Sequence, residues 1–196
     1  MENSLVKKML VVLVAVCAVL ETVAAGTVFN AGEALRANVA GAASNPCAVS
    51  GGTWSWLDVD VAGGTETLAA TPGTATRIAG RGFASAGGVE FAANTGDAAV
   101  HLDGNAAAFP LPFNTDEIYV APASGRAGVV RFVVAEDGWY SATAEFKGLD
   151  AGDAYGYVFV DGVDCAAGVD EAAFNGAQIS GVFPPYVAGG TLLVVR

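Results

Sequence analysis

The stretch Trp54-Ser55-Trp56-Leu57-Asp58-Val59-Asp60 sets two indoles and two carboxylates at alternate positions. Alternate residues of a strand share a face, so Trp54, Trp56, Asp58 and Asp60 fall on one side and Ser55, Leu57, Val59 and Val61 on the other. With the aliphatic side as core, the indoles and carboxylates point outward. That combination suits a sugar ring, because aromatic faces supply apolar area and carboxylates accept hydrogen bonds from hydroxyls. The competing placement packs the indoles under a loop and leaves the aspartates in water. A second aromatic row, Tyr155, Tyr157 and Phe159, ends at Asp161 and is backed by Gly156, Val158 and Val160. It is a surface platform if the aliphatic face is core and an interior row if it is not. Trp54, Trp56, Asp58, Tyr155 and Tyr157 are therefore the candidate ligand-binding residues.

The other reactive side chains point to less. Asp150, Asp153, Asp161, Asp164, Asp170 and Glu171 crowd the last third of the chain. Asp150-Ala151-Gly152-Asp153 offers hard oxygen ligands, making Asp150 and Asp153 candidates for Ca²⁺, but the ligand spacing of an EF-hand is missing. A solvated acidic rim accounts for the same residues, and no other cofactor is indicated. Paired carboxylates also run glycoside hydrolysis when they face each other across a cleft; in so acidic a chain, pairs arise by chance. The single histidine, His101, begins a turn with Leu102-Asp103-Gly104, and no Gly-x-Ser-x-Gly elbow or phosphate loop is present. The expectation is a protein without catalytic residues.

Composition narrows the classes further. The chain has 196 residues, net charge −11 and 26 glycines, about 13% against an ordinary ~7%. A surplus of acid is the wrong sign for a reader of nucleic-acid phosphates, whereas 53% apolar residues suffice for a core. Residues 1–25 read as a secretory signal peptide. Lys7 and Lys8 form its basic start, Met9 to Leu20 its apolar run, and Val23-Ala24-Ala25 its small-residue exit before Gly26. The run is about a dozen residues where a spanning helix needs ~20, so no transmembrane span is expected in the mature chain. The leader carries Glu2 and Glu21 against Lys7 and Lys8, so its removal leaves the charge unchanged. Export makes Cys47 and Cys165 a disulfide candidate, with two separate thiols as the alternative.

These residues need a framework to hold them. Asn30 is placed to cap one short helix over Ala31 to Asn38, followed by the loop Gly41 to Gly52 with Asn45-Pro46. Beyond it the period is two. Val129 to Val134, a turn at Glu136-Asp137-Gly138, Trp139 to Lys147, and Tyr155 to Val160 closing on Asp161-Gly162 read as a three-strand meander. Further strands are expected at Thr53 to Val59, Thr76 to Ile78, Val89 to Phe91, Ala98 to Leu102, Glu117 to Val120, Ala177 to Val182 and Thr191 to Val195. The fold class is all-β: an antiparallel two-sheet sandwich or jelly roll in one domain, residues 26–196, open to truncation at its C-terminal side.

Three segments carry a resemblance. They are Phe29-Asn30-Ala31-Gly32-Glu33-Ala34-Leu35-Arg36-Ala37-Asn38, Asn45-Pro46 through Trp54-Ser55-Trp56, and Val130-Arg131-Phe132 through Gly138-Trp139-Tyr140 with Phe146-Lys147-Gly148-Leu149-Asp150. Together they resemble a family of secreted bacterial surface proteins whose jelly-roll domain is similar to galactose-binding and carbohydrate-binding modules. The likeness implies a fold and a place outside the cell and transfers no catalytic residue; the region from Gly63 to Pro112 matches it less well. The resulting expectation is an exported, non-catalytic module that binds a polysaccharide or cell-surface glycan. The alternatives are a structural or adhesive surface module without a small ligand, and a glycosidase or a piece of one.

Overall fold

A computed structural model describes residues 14–22, 28–135, 138–149, 159–160, 163–164, 177–186 and 191–192, with side chains for 28–135 and 146–149. In chain order the elements are β1 (Val14–Thr22), β2 (Val28–Asn30), α1 (Ala31–Ala40), β3 (Cys47–Val49), β4 (Gly52–Asp60), β5 (Glu66–Leu68), β6 (Thr71–Thr74), β7 (Gly80–Ala84) and β8 (Glu90–Asn94). They continue with β9 (Ile118–Ala121), β10 (Arg126–Val134), β11 (Gly138–Gly148), β12 (Phe159–Val160), β13 (Val163–Asp164), β14 (Ala177–Tyr186) and β15 (Thr191–Leu192). One sheet has the order β14-β11-β1-β9-β8-β7-β6, with β2 also against β1. The second has the order β13-β12-β15-β10-β4-β3, with β5 also against β4. Pairing is antiparallel throughout, as short connections between strands favour.

The two sheets enclose one main core. Trp54, Trp56, Val130, Phe132 and Val134 come to it from the second sheet, and Phe83, Phe91, Ala93, Ile118, Val120 and Phe146 from the first. This is the two-layer antiparallel arrangement expected of a β-sandwich. Helix α1 adds Ala31, Leu35 and Val39 to the same core. It begins where expected: the Asn30 side chain accepts hydrogen bonds from the amides of Gly32 and Glu33 at 2.8 and 3.0 Å, satisfying two donors that a helix start leaves unpaired. Each sheet also has an apolar outer side. Leu102 and Phe113, from the segment between β8 and β9, cluster with Ile78, Ala92, Tyr119 and Leu149, while Leu57, Val59, Ala127 and Val129 cluster on the second sheet.

Three of the differences from the sequence expectation change the topology, while β3, β5 and β7 add strands where none was expected. First, β10 and β11 do not form a meander: β10 lies between β4 and β15, and β11 between β1 and β14. Val130, Phe132 and Val134 enter the core from one wall and Phe146 from the other, so the connection passes between sheets. Second, Thr76 to Ile78 and Ala98 to Leu102 are not strands. Gly80 closes a tight turn on Ile78 O at 2.9 Å, Val100 makes only an isolated bridge with Phe113, and the first sheet's edge is formed by Thr71–Thr74. Third, within the segment read as a leader, Val14–Thr22 is a strand of the first sheet. A short continuous apolar run fits a leader core and a buried strand alike.

Candidate functional site

The face of β4 that carries the indoles points into the protein. Trp54 and Trp56 are 1% and 0% exposed. Trp54 packs on Phe132 with centroids 4.6 Å apart, and Phe132 in turn meets Phe29 at 5.0 Å. Trp56 stacks on Phe83 at 5.7 Å and 21°. The outward platform of Trp54, Trp56 and Asp58 is therefore not formed, because a sugar ring needs an open aromatic face. The period of two holds along β4, and the indole side is the one that faces the core. Both sides of β4 are apolar, and the larger indoles take the deeper core between the sheets, leaving Leu57 and Val59 to the smaller outer cluster.

Asp58 follows the indoles inward and is 1% exposed. A buried carboxylate must be paired and hydrogen-bonded. The Arg126 Nε–H donates to its Oδ1 at 2.6 Å, and the Ser85 hydroxyl donates to its Oδ2 at 2.5 Å. Ser85 Oγ also accepts from the Val89 amide at 3.0 Å. The bond to Asp58 raises the guanidinium pKa of Arg126 above its usual value. The cluster ties β4 and β10 of one sheet to the β7–β8 hairpin of the other. Gly87 in that hairpin leaves the necessary room: a Cβ there would lie 2.3 Å from Asp58 Oδ2 and 2.9 Å from Arg126 Nε. A serine beside a carboxylate suggests nucleophilic chemistry, but here the carboxylate is already held by a cation. Asp60, at the strand end, accepts from the amides of Ala62 and Gly63 and shapes the turn.

A second buried carboxylate, Glu117, is 4% exposed. It accepts from the Asn114 amide and side chain, each at 2.8 Å, and pairs with Lys147 of β11. On the outer side of the first sheet, Arg77 forms an ion pair with Asp103 at 2.6 Å and lies over the Phe109 ring at 5.1 Å. Asp103 takes a left-handed backbone, φ 53°. Its carboxyl is held below the usual range first by the hydrogen bond from Arg77. His101 donates Nδ1–H to Phe109 O at 2.9 Å, a role in the loop's own bonding.

Asn45 is a structural residue that the sequence marks only as part of an Asn-Pro loop. Its side-chain N–H donates to Trp56 O at 2.6 Å and Ala69 O at 2.8 Å, and its Oδ1 accepts from Trp56 N at 3.1 Å. One amide thus serves the backbone of β4 as a neighbouring strand would.

No protein-family model, curated protein or solved structure matches this chain. Tyr155, Tyr157, Asp150, Asp153 and Cys165 lie outside the described residues. Cys47 carries a free thiol, half-buried on β3, and burial raises its pKa. Among the described residues no group of three or more His, Cys, Asp or Glu side chains is placed to hold a metal, and no helix is long and apolar enough to cross a membrane.

Proposed function

We propose that this chain is an exported, non-catalytic module of jelly-roll type that serves as a structural or adhesive element at a cell surface. The observation that carries the reading is the burial of both indoles, 1% and 0% exposed, at the position where the sequence offered a sugar platform. The chemistry of the buried carboxylates supports it. Asp58 and Glu117 are each bound by a cation and by further donors, whereas a glycosidase needs one carboxyl free to give a proton and another free to attack or activate water. The basic, apolar and small-residue succession of residues 1–25 supports export.

Affinity electrophoresis of the intact chain against a panel of polysaccharides tests this reading. No retardation is expected on any of them. Trp56→Ala is expected to cost about 3–5 kcal/mol in urea unfolding, as removal of a core aromatic does. Retardation by a glycan, abolished by a Trp56 variant that keeps the wild-type circular dichroism and unfolding midpoint, would return the protein to the carbohydrate-binding class.

A further inference from the structure

We propose that the outer edge of β6 is a guarded end of the first sheet. Pro72 stands where its missing N–H deprives an incoming strand and not the protein's own ladder, so this edge does not extend into a second copy of the chain. The inference goes beyond the surface-module reading and does not depend on it.

Nothing steric closes this edge. β6 ends the order of its sheet and pairs with β7 alone among the described strands. All four of its residues are exposed, and a Cβ at Gly73 would meet nothing within 4 Å. Thr71 and Thr74 are of a type that favours strands. An open edge of this kind adds extended chains through main-chain hydrogen bonds.

The register shows which backbone groups an incoming strand would meet. Thr71 lies opposite Ala84, Pro72 opposite Phe83, Gly73 opposite Gly82 and Thr74 opposite Arg81. One residue further on, the Ala75 N–H donates to the oxygen of Gly80, the residue facing it, at 3.2 Å. Pairs that exchange hydrogen bonds alternate with pairs that do not in an antiparallel ladder. Thr71 and Gly73 therefore turn their backbone groups toward β7, and Pro72 and Thr74 turn theirs outward. Proline has no N–H, so the edge offers a partner the Thr74 amide where an ordinary residue at position 72 would add a second donor. At position 71 or 73 the same proline would remove a bond from the pairing with β7. The backbone on either side of the strand is engaged within the protein. Ala69 N–H donates to Trp56 O at 3.0 Å and Ala69 O accepts from the Asn45 side chain at 2.8 Å. The Thr76 N–H and hydroxyl both donate to Glu90 Oε2, at 3.3 and 3.1 Å. The edge thus cannot lengthen at either end to replace the donor that Pro72 lacks.

The test follows individual backbone amides of the full chain by hydrogen exchange at micromolar and at millimolar concentration. In the unchanged protein the Gly73 amide is expected to be protected and the Thr74 amide to exchange fast, at one rate across both concentrations. Pro72→Thr is expected to keep the circular dichroism of the unchanged protein. At the higher concentration it is expected to slow exchange at positions 72 and 74 by about threefold or more, as newly paired amides do, with a rise in sedimenting mass. Adding Thr74→Pro to Pro72→Thr is expected to abolish both effects, because it removes the remaining outward donor and leaves the ladder with β7 intact. As single changes, Gly73→Pro is expected to lower the thermal midpoint and Thr74→Pro to leave it in place. Exchange in Pro72→Thr that is the same at both concentrations would overturn the proposal. So would a Thr74 amide that becomes protected at millimolar concentration in the unchanged protein, or equal losses of stability in Gly73→Pro and Thr74→Pro. None of these readouts depends on glycan binding or export.

Discussion

Asp58 puts a charge where the sequence suggested a ligand contact, and its stability depends on Arg126, whose side chain is 25% exposed against 1% for Asp58. Removing Arg126 alone leaves the buried carboxylate of Asp58 without its cation, a larger penalty than removing both partners together. Arg126→Ala is therefore expected to destabilise more than the double variant Asp58→Ala/Arg126→Ala, as read from urea midpoints. The reverse order would mean that Asp58 is solvated. The exposed pair Arg77–Asp103 behaves differently. The folded state lowers the Asp103 pKa, so the unfolded chain binds the proton more readily at this position. The stabilisation is thus present above the ordinary aspartate pKa of ~3.9 and is lost as pH falls through the lower folded value. The stability difference between wild type and Asp103→Asn, followed from pH 6 to pH 2, is expected to shrink over that lower range; a difference independent of pH would exclude the pair as its source.

Helix α1 sets intrinsic propensity against packing. Gly32 lies within it, and replacement by alanine favours a helix by about 1 kcal/mol where nothing else intervenes. Here a Cβ would sit 1.9 Å from the backbone oxygen of Asp116, so the helix must lift from the segment before β9. Gly32→Ala is expected to lower stability by about 2 kcal/mol or more, a core-overpacking cost. Gly73→Ala on the exposed strand β6, where a Cβ meets nothing within 4 Å, is expected to be neutral or a few tenths of a kcal/mol stabilising. Thermal unfolding of the two variants gives the comparison, and equal midpoints would show that the helix is not seated closely. The same elements explain what the sequence makes legible. The capped helix after Asn30 and the strands from Thr53, Val129 and Trp139 follow from local signals: a capping side chain and a period of two. Which side of β4 faces the core is not local, because Trp54 and Trp56 compete with Leu57 and Val59 and the outcome depends on what each sheet meets. The passage from β10 to β11 is equally non-local, since a short connection at Gly138 serves a hairpin or a crossing between layers.

At the scale of the whole molecule, the order of the second sheet bears on Cys47 and Cys165. Cys47 opens β3 at one edge of that sheet, β13 (Val163–Asp164) forms the opposite edge, and Cys165 lies outside the described residues. Five strand intervals of about 4.8 Å separate the two edges, on the order of 24 Å along the sheet. A disulfide requires Cα atoms within about 7 Å. Cys47 carries a free, half-buried thiol. A bridge closing a loop of more than a hundred residues would contribute about 4–5 kcal/mol, so the two arrangements predict different numbers. Cys47→Ser is expected to change the urea unfolding free energy by less than about 1 kcal/mol, as a polar replacement at a half-buried site does. Alkylation of the unfolded, unreduced protein followed by peptide mass spectrometry is expected to find Cys47 modified. A Cys47–Cys165 cross-linked peptide, together with a loss of several kcal/mol in Cys47→Ser, would require β13 to lie beside β3 and would overturn the strand order of this sheet.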